Sequence, residues 1–86
     1  MNANFRQSFR VAITTRYMGP TNFKGSRIVV TSGNGHRMIV SWDHALDVGE
    51  NHAAAAKALA DKMEWGGEWV GGGTKDGYVF VNLPRG

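Results

Sequence analysis

Four consecutive alanines at positions 53–56, followed by Leu59, Ala60 and Met63, give residues 50–64 a high intrinsic helix propensity. No β-branched residue, Gly or Pro interrupts them. His52, Ala55 or Ala56, Leu59 and Met63 recur at the spacing of one helical face, and Lys57, Asp61 and Glu64 fall on the opposite face. Asp47, three residues before Glu50, supplies an N-cap with its capping-box partner, and Gly66 with Gly67 is the expected stop. The buried stripe consists mostly of small side chains. Such a helix lies close against something flat, most naturally a β-sheet.

The remaining sequence supplies that sheet. Residues 5–17 alternate with period two: Phe9, Val11, Ile13 and Tyr17 share one face, and Arg6, Arg10, Thr14 and Arg16 the other. After a loop punctuated by Gly19, Pro20 and Gly25, residues 27–31 form a second strand built on Ile28, Val29 and Val30. Asn34-Gly35 between apolar runs favours a type I′ hairpin, in which both central residues take positive φ. The return strand, 36–42, sets Met38, Val40 and Trp42 on one face. Beyond the helix, residues 65–70 start another short strand, the glycine-rich residues 71–77 form a flexible turn, and residues 78–83 form the last strand. The expected fold is α+β: one domain over 1–86, a small antiparallel sheet covered by one helix, in the order βββα and then a β-hairpin.

Charge separates the two halves of the chain. Arg6, Arg10, Arg16, Lys24, Arg27 and Arg37 precede Asp43 with no acid among them. From Asp43 onward seven acids face Lys57, Lys62, Lys75 and Arg85. A basic first half points to a polyanion or an acidic protein surface as partner. The chain has no cysteine, which excludes a disulfide scaffold, a thiolate metal site and a thiol nucleophile. No apolar run approaches the roughly 20 residues of a membrane span, and residues 1–6 lack the apolar centre of a signal peptide. The expected setting is cytoplasmic, without membrane association.

No motif supplies catalysis. The glycines at 71–73 lack the Gly-Lys-Ser/Thr spacing and following helix of a phosphate loop. His36, His44 and His52 recur at eight-residue intervals rather than the four of a helical zinc pair, so no metal or other cofactor is implied. Asp43 and His44 are neighbours that point to opposite faces of an extended chain, and Ser26, Ser32 and Ser41 occupy ordinary turn and strand positions. The expectation is a binding protein, not an enzyme. Its contacts are Arg10, Arg16, Arg27 and Arg37 on the sheet, Asn22 and Lys24 in the 19–25 loop, and Tyr17 and Trp42 as aromatic partners. Arginine forks bind phosphates or carboxylates bidentately, and single-strand binders stack bases on sheet aromatics. Trp69 is a further candidate for an interface anchor.

Thr15-Arg16-Tyr17, Gly19-Pro20-Thr21-Asn22, Lys24-Gly25-Ser26-Arg27-Ile28, Asp43-His44-Ala45-Leu46, Glu50-Asn51-His52 and Ala54-Ala55 together carry a resemblance. Over residues 13–83 the chain resembles small orphan proteins of proteobacterial phages, plasmids and integrated elements. That resemblance implies an inhibitor of host defence of the anti-CRISPR type, which binds a bacterial CRISPR effector complex stoichiometrically in the host cytoplasm. Many such proteins are acidic mimics of nucleic acid. The basic character here points instead to an acidic protein surface or the guide RNA path. The alternative is a small nucleic-acid-binding accessory protein using the same arginine face. A monomer or a weak homodimer is expected; an exposed final strand at 78–83 would offer a copy a pairing edge, but nothing in the sequence requires it.

Overall fold

The computed structural model describes residues 11–83. They form β1 (Ala12–Met18), β2 (Arg27–Ser32), β3 (Arg37–Ser41), α1 (Val48–Lys62), β4 (Trp69–Gly73) and β5 (Gly77–Asn82). The fold is α+β, with one five-stranded antiparallel sheet in the order β3-β2-β1-β5-β4 and one helix packed on it. The residues expected to open the first strand, 5–10, lie outside the described part. No helix among the described residues is long and apolar enough to cross a membrane.

Residues directly opposite in antiparallel strands share a face. The register therefore assigns Ile13, Thr15, Tyr17, Ile28, Val30, Met38, Val40, Tyr78 and Phe80 to the helix side. Ile13, Ile28, Val30 and Phe80 pack there against Ala55, Ala56, Leu59 and Ala60. The small residues of α1 bring its backbone close, and Leu59 enters the sheet as the one long aliphatic side chain fully buried on the helix.

The helix begins where its capping box places it. Glu50 N–H donates to Asp47 Oδ1 at 2.7 Å, and Asp47 N–H donates to Glu50 Oε1 at 3.2 Å. It ends two residues earlier than expected, and the glycines do not stop it. Glu64 takes the left-handed conformation at φ 60°. Trp65 N–H then reaches Ala60 O at 2.8 Å and Glu64 N–H reaches Asp61 O at 3.1 Å, which is a Schellman motif closed by a glutamate.

Three other expectations are corrected. The β2–β3 connection is a three-residue loop rather than a type I′ turn: Ser32 N–H bonds His36 O at 2.9 Å, Gly35 N–H bonds Ser32 O at 3.1 Å, and Gly35 alone has positive φ there. The Ser32 hydroxyl accepts from His36 N–H at 3.0 Å, a local bond that favours this wider loop. Gly71, Gly72 and Gly73 are strand, not turn, and residues 74–76 reverse the chain. The ring of Phe80 lies across Gly71, where a Cβ would come within 2.4 Å of it. The last strand is not an edge: β5 lies between β1 and β4, and among the described residues β3 and β4 are the edges.

Candidate functional site: the uncovered sheet face

The helix covers one side of the sheet. The other side carries Thr14 and Arg16 of β1, Arg27, Val29 and Thr31 of β2, and Arg37, Ile39 and Ser41 of β3. Arg16 sits opposite Val29, which sits opposite Ile39; Thr14 sits opposite Thr31, which sits opposite Arg37. Arg16, Val29, Thr31 and Arg37 line one hollow of about 320 Å³ with Thr14 and Thr15. No acidic residue lies on any strand of this face, whereas the acids of the described chain occupy the helix, its flanks and loops. The ion pair found among the described residues, Lys57 to Asp61 at 2.7 Å, is on the helix. Ile39 remains 49 % exposed, so the face mixes guanidinium charge with open apolar surface.

Arg27 stands at the end of this face. Its Nη1 donates to Gly19 O at 3.4 Å and Gly25 O at 3.3 Å, which holds the guanidinium against the 19–25 loop and leaves its other N–H groups free of those contacts. Thr21 shapes the loop: its Oγ1 accepts from Phe23 N–H at 3.2 Å and from Lys24 N–H at 3.0 Å, and its N–H bonds Lys24 O at 2.7 Å. Lys24, Arg27, Ile39, Ser41, Trp42 and His44 surround an open cleft of about 540 Å³.

The structure thus brings Arg16 with Arg37, and Lys24 with Arg27 and Trp42. Asn22 is exposed in the loop but lines neither hollow. Arg10 lies outside the described residues. Tyr17 keeps the helix-side parity expected of it and is 44 % exposed; its hydroxyl bonds Ser26 Oγ at 3.0 Å and its ring meets Trp42 edge-on at 5.2 Å. Trp42 follows the helix-side parity of Val40 and also lines the cleft. Phe23, 94 % exposed at the loop tip, is the most exposed large apolar side chain described. The sequence signal for it was present, an aromatic inside a Gly/Pro-punctuated loop, where no core position awaits it.

The polar groups under the helix are structural. His52 is 2 % exposed, and its Nδ1 lies 2.7 Å from Thr15 Oγ1. Burial lowers its pKa below the ordinary 6.5, because the imidazolium would lose its water. It sits inside the helix–sheet packing, against Tyr78 at 4.7 Å between ring centroids. Asn51, also buried, ties down the β3–α1 connection: Oδ1 accepts from Asp43 N–H at 2.8 Å, and Nδ2 donates to Asp43 O at 2.9 Å, Leu46 O at 3.2 Å and Asp47 O at 3.1 Å. Asp43 directs its carboxylate to Ala45 N–H at 2.9 Å. Among the described residues no three His, Cys, Asp or Glu side chains gather as metal ligands.

Fold and face together define a class: an α+β protein with one sheet face closed by a helix and the other, among the described residues, open, basic and part-apolar. No family model, curated protein or solved structure matches this chain.

Proposed function

We propose that this protein acts by occupying the surface of a larger partner, without catalysis, through the uncovered sheet face. One observation carries the reading: Arg16, Arg27 and Arg37 lie on the same side of the sheet, beside the exposed Ile39, with no acid among them. Guanidinium groups over apolar surface suit an anionic protein patch, since the arginines set orientation and the aliphatic area excludes water. Joined to the resemblance to phage and mobile-element proteins, this supports an inhibitor of the anti-CRISPR type. Such an inhibitor binds a bacterial CRISPR effector complex stoichiometrically in the host cytoplasm and blocks it. Phe23 and Lys24, in the loop beside Arg27, extend the contact.

The cleft that pairs Lys24 and Arg27 with the Trp42 indole favours a second reading, a nucleic-acid-binding accessory protein. A pulldown of the tagged chain from bacterial lysate, with and without nuclease, separates the two. A defined protein complex that survives nuclease and moderate salt supports the inhibitor. Signal lost with nuclease, or falling steeply as salt rises, supports phosphate contacts. Arg16→Glu with Arg37→Glu should abolish capture while leaving stability within about 0.5 kcal/mol per site, because both side chains are exposed. Undiminished capture by that double variant refutes the arginine face as the contact.

A further inference from the structure

The two edges of the sheet are not equivalent. At the ends of β4, Thr74 N–H donates to Gly77 O at 2.7 Å and Leu83 N–H donates to Glu68 O at 2.7 Å. Antiparallel ladders alternate bonded and non-bonded pairs. Between these two bonded pairs the alternation turns Val70 and Gly72 inward toward β5 and leaves Trp69, Gly71 and Gly73 with outward N–H and C=O groups. No backbone partner for those groups exists among the described residues. The same reasoning, anchored on Ser32 N–H to His36 O and Trp42 N–H to Ser26 O, makes Arg37, Ile39 and Ser41 the outward residues of β3. An arginine guards that edge. β4 has no charge, proline or side-chain bulk beyond Trp69 and Val70, so among the described residues it lacks the usual protection of an open edge.

Beside β4, on the helix side, lies an apolar groove of about 330 Å³ lined by Ala56, Ala60, Trp65, Trp69 and Phe80. Trp65 and Trp69 stack at 6.3 Å to form its end. Because Gly71 and Gly73 carry no side chains, nothing on β4 beyond Trp69 separates this groove from a strand laid along the edge. The surroundings are acidic. Asp61 lines the groove, Glu64 and Glu68 are exposed next to the two indoles, and the C-terminus of α1 adds partial negative charge. Lys57 also lines the groove and its ion pair with Asp61 cancels both charges, which leaves Glu64 and Glu68 against Lys62.

We infer that β4 binds an extended peptide segment of another protein by strand addition. One large apolar side chain of that segment enters the Trp65–Trp69 groove, and a lysine or arginine flanks it. Main-chain bonds to Trp69, Gly71 and Gly73 supply the pairing, the groove supplies the anchor, and the carboxylates select the basic flank. This site is on the opposite side from the arginine face and does not depend on it. A basic peptide and an acidic protein surface are recognised by different ends of the molecule's charge separation.

The test pans the full chain against a phage-displayed library of random twelve-residue peptides, then measures the enriched peptides by fluorescence anisotropy. Enriched sequences should alternate apolar residues and carry Lys or Arg. Gly73→Pro deletes one outward N–H at a position where a Cβ meets nothing within 4 Å. It should weaken those peptides about tenfold, the worth of one hydrogen bond at the upper end of its range. Gly72→Lys, on the arginine side of the strand with equally open space, should leave them unchanged. Amide exchange in the wild-type chain provides a second readout independent of any variant. Gly71 and Gly73 should exchange much faster than Gly72 when free, and become protected when peptide is bound. Equal binding by Gly73→Pro, no enrichment, or slow Gly71 and Gly73 exchange in the free monomer would overturn the inference. So would concentration-dependent dimerisation abolished by Gly73→Pro, which would give the edge to a second copy of this chain.

Discussion

Replacing Glu64 by glycine should stabilise this protein. Glu64 closes the Schellman motif at φ 60°, a region where an L side chain costs roughly 1–2 kcal/mol from contact between its Cβ and the backbone. Its carboxylate also sits against the negative end of α1, an unfavourable placement of about 0.3–1 kcal/mol. Glycine removes both. Against this, the unfolded chain gains freedom at that position, which offsets about 0.4–1 kcal/mol. The side chain is exposed and makes no hydrogen bond recorded in the fold, so little packing is lost. The net gain is about 1 kcal/mol, which in a domain of this size raises the thermal midpoint by about 4–8 °C. Thermal unfolding followed by circular dichroism reads it, and Glu64→Gln separates the two causes. Glutamine removes the charge and keeps the strain, so it should recover only the smaller, salt-sensitive part. If Glu64→Gly leaves the midpoint unchanged or lowers it, the helix end is not strained as described. If Glu64→Gln matches the glycine variant, charge alone was responsible.

Leu59→Ala should cost about 2–5 kcal/mol, because a side chain 1 % exposed leaves a cavity between α1 and the sheet; urea unfolding measures it. Gly77→Ala should be at least as damaging, since its Cβ would fall 1.9 Å from the Thr15 carbonyl oxygen, a backbone atom that cannot step aside; failure to lower the midpoint would place β5 differently against β1. His52 makes stability depend on pH. Its folded pKa is lowered by burial, so the unfolded chain binds more protons at pH values between the folded value and 6.5. Stability is therefore full above that window and falls as pH drops through it, with a slope of at most about 1.4 kcal/mol per pH unit for one group. Urea midpoints compared at pH 7.5 and 5.5 should show this fall in the wild type and a smaller one in His52→Gln.

The alternation in Ala12–Met18, the capping box at Asp47 and Glu50, and the stripe of His52, Ala55, Ala56 and Leu59 were all legible before any tertiary contact was known. Each is a local pattern whose period or hydrogen bond is set by neighbours a few residues away. They specify a helix on a sheet and put Arg16 on the solvent side of its strand. The opposite placement of Tyr17 also follows from that alternation.

What the local patterns left open was decided by partners far along the chain. Gly71 to Gly73 look like a turn in isolation and become a strand because Phe80 covers Gly71 and β5 supplies a ladder. A type I′ turn yields to a wider loop because Ser32 bonds His36 twice, through its backbone and its hydroxyl. Strand order has no local signature at all: β5 enters between β1 and β4, which buries the strand that looked like an edge and exposes the glycine-rich one. The sequence by itself determined the elements, the helix face and the separation of charge along the chain, because those follow from period and composition. Only the tertiary structure decided that Arg16, Arg27 and Arg37 share one face and that β4 rather than β5 is an edge of the described sheet, because register and strand order join residues that sequence keeps apart.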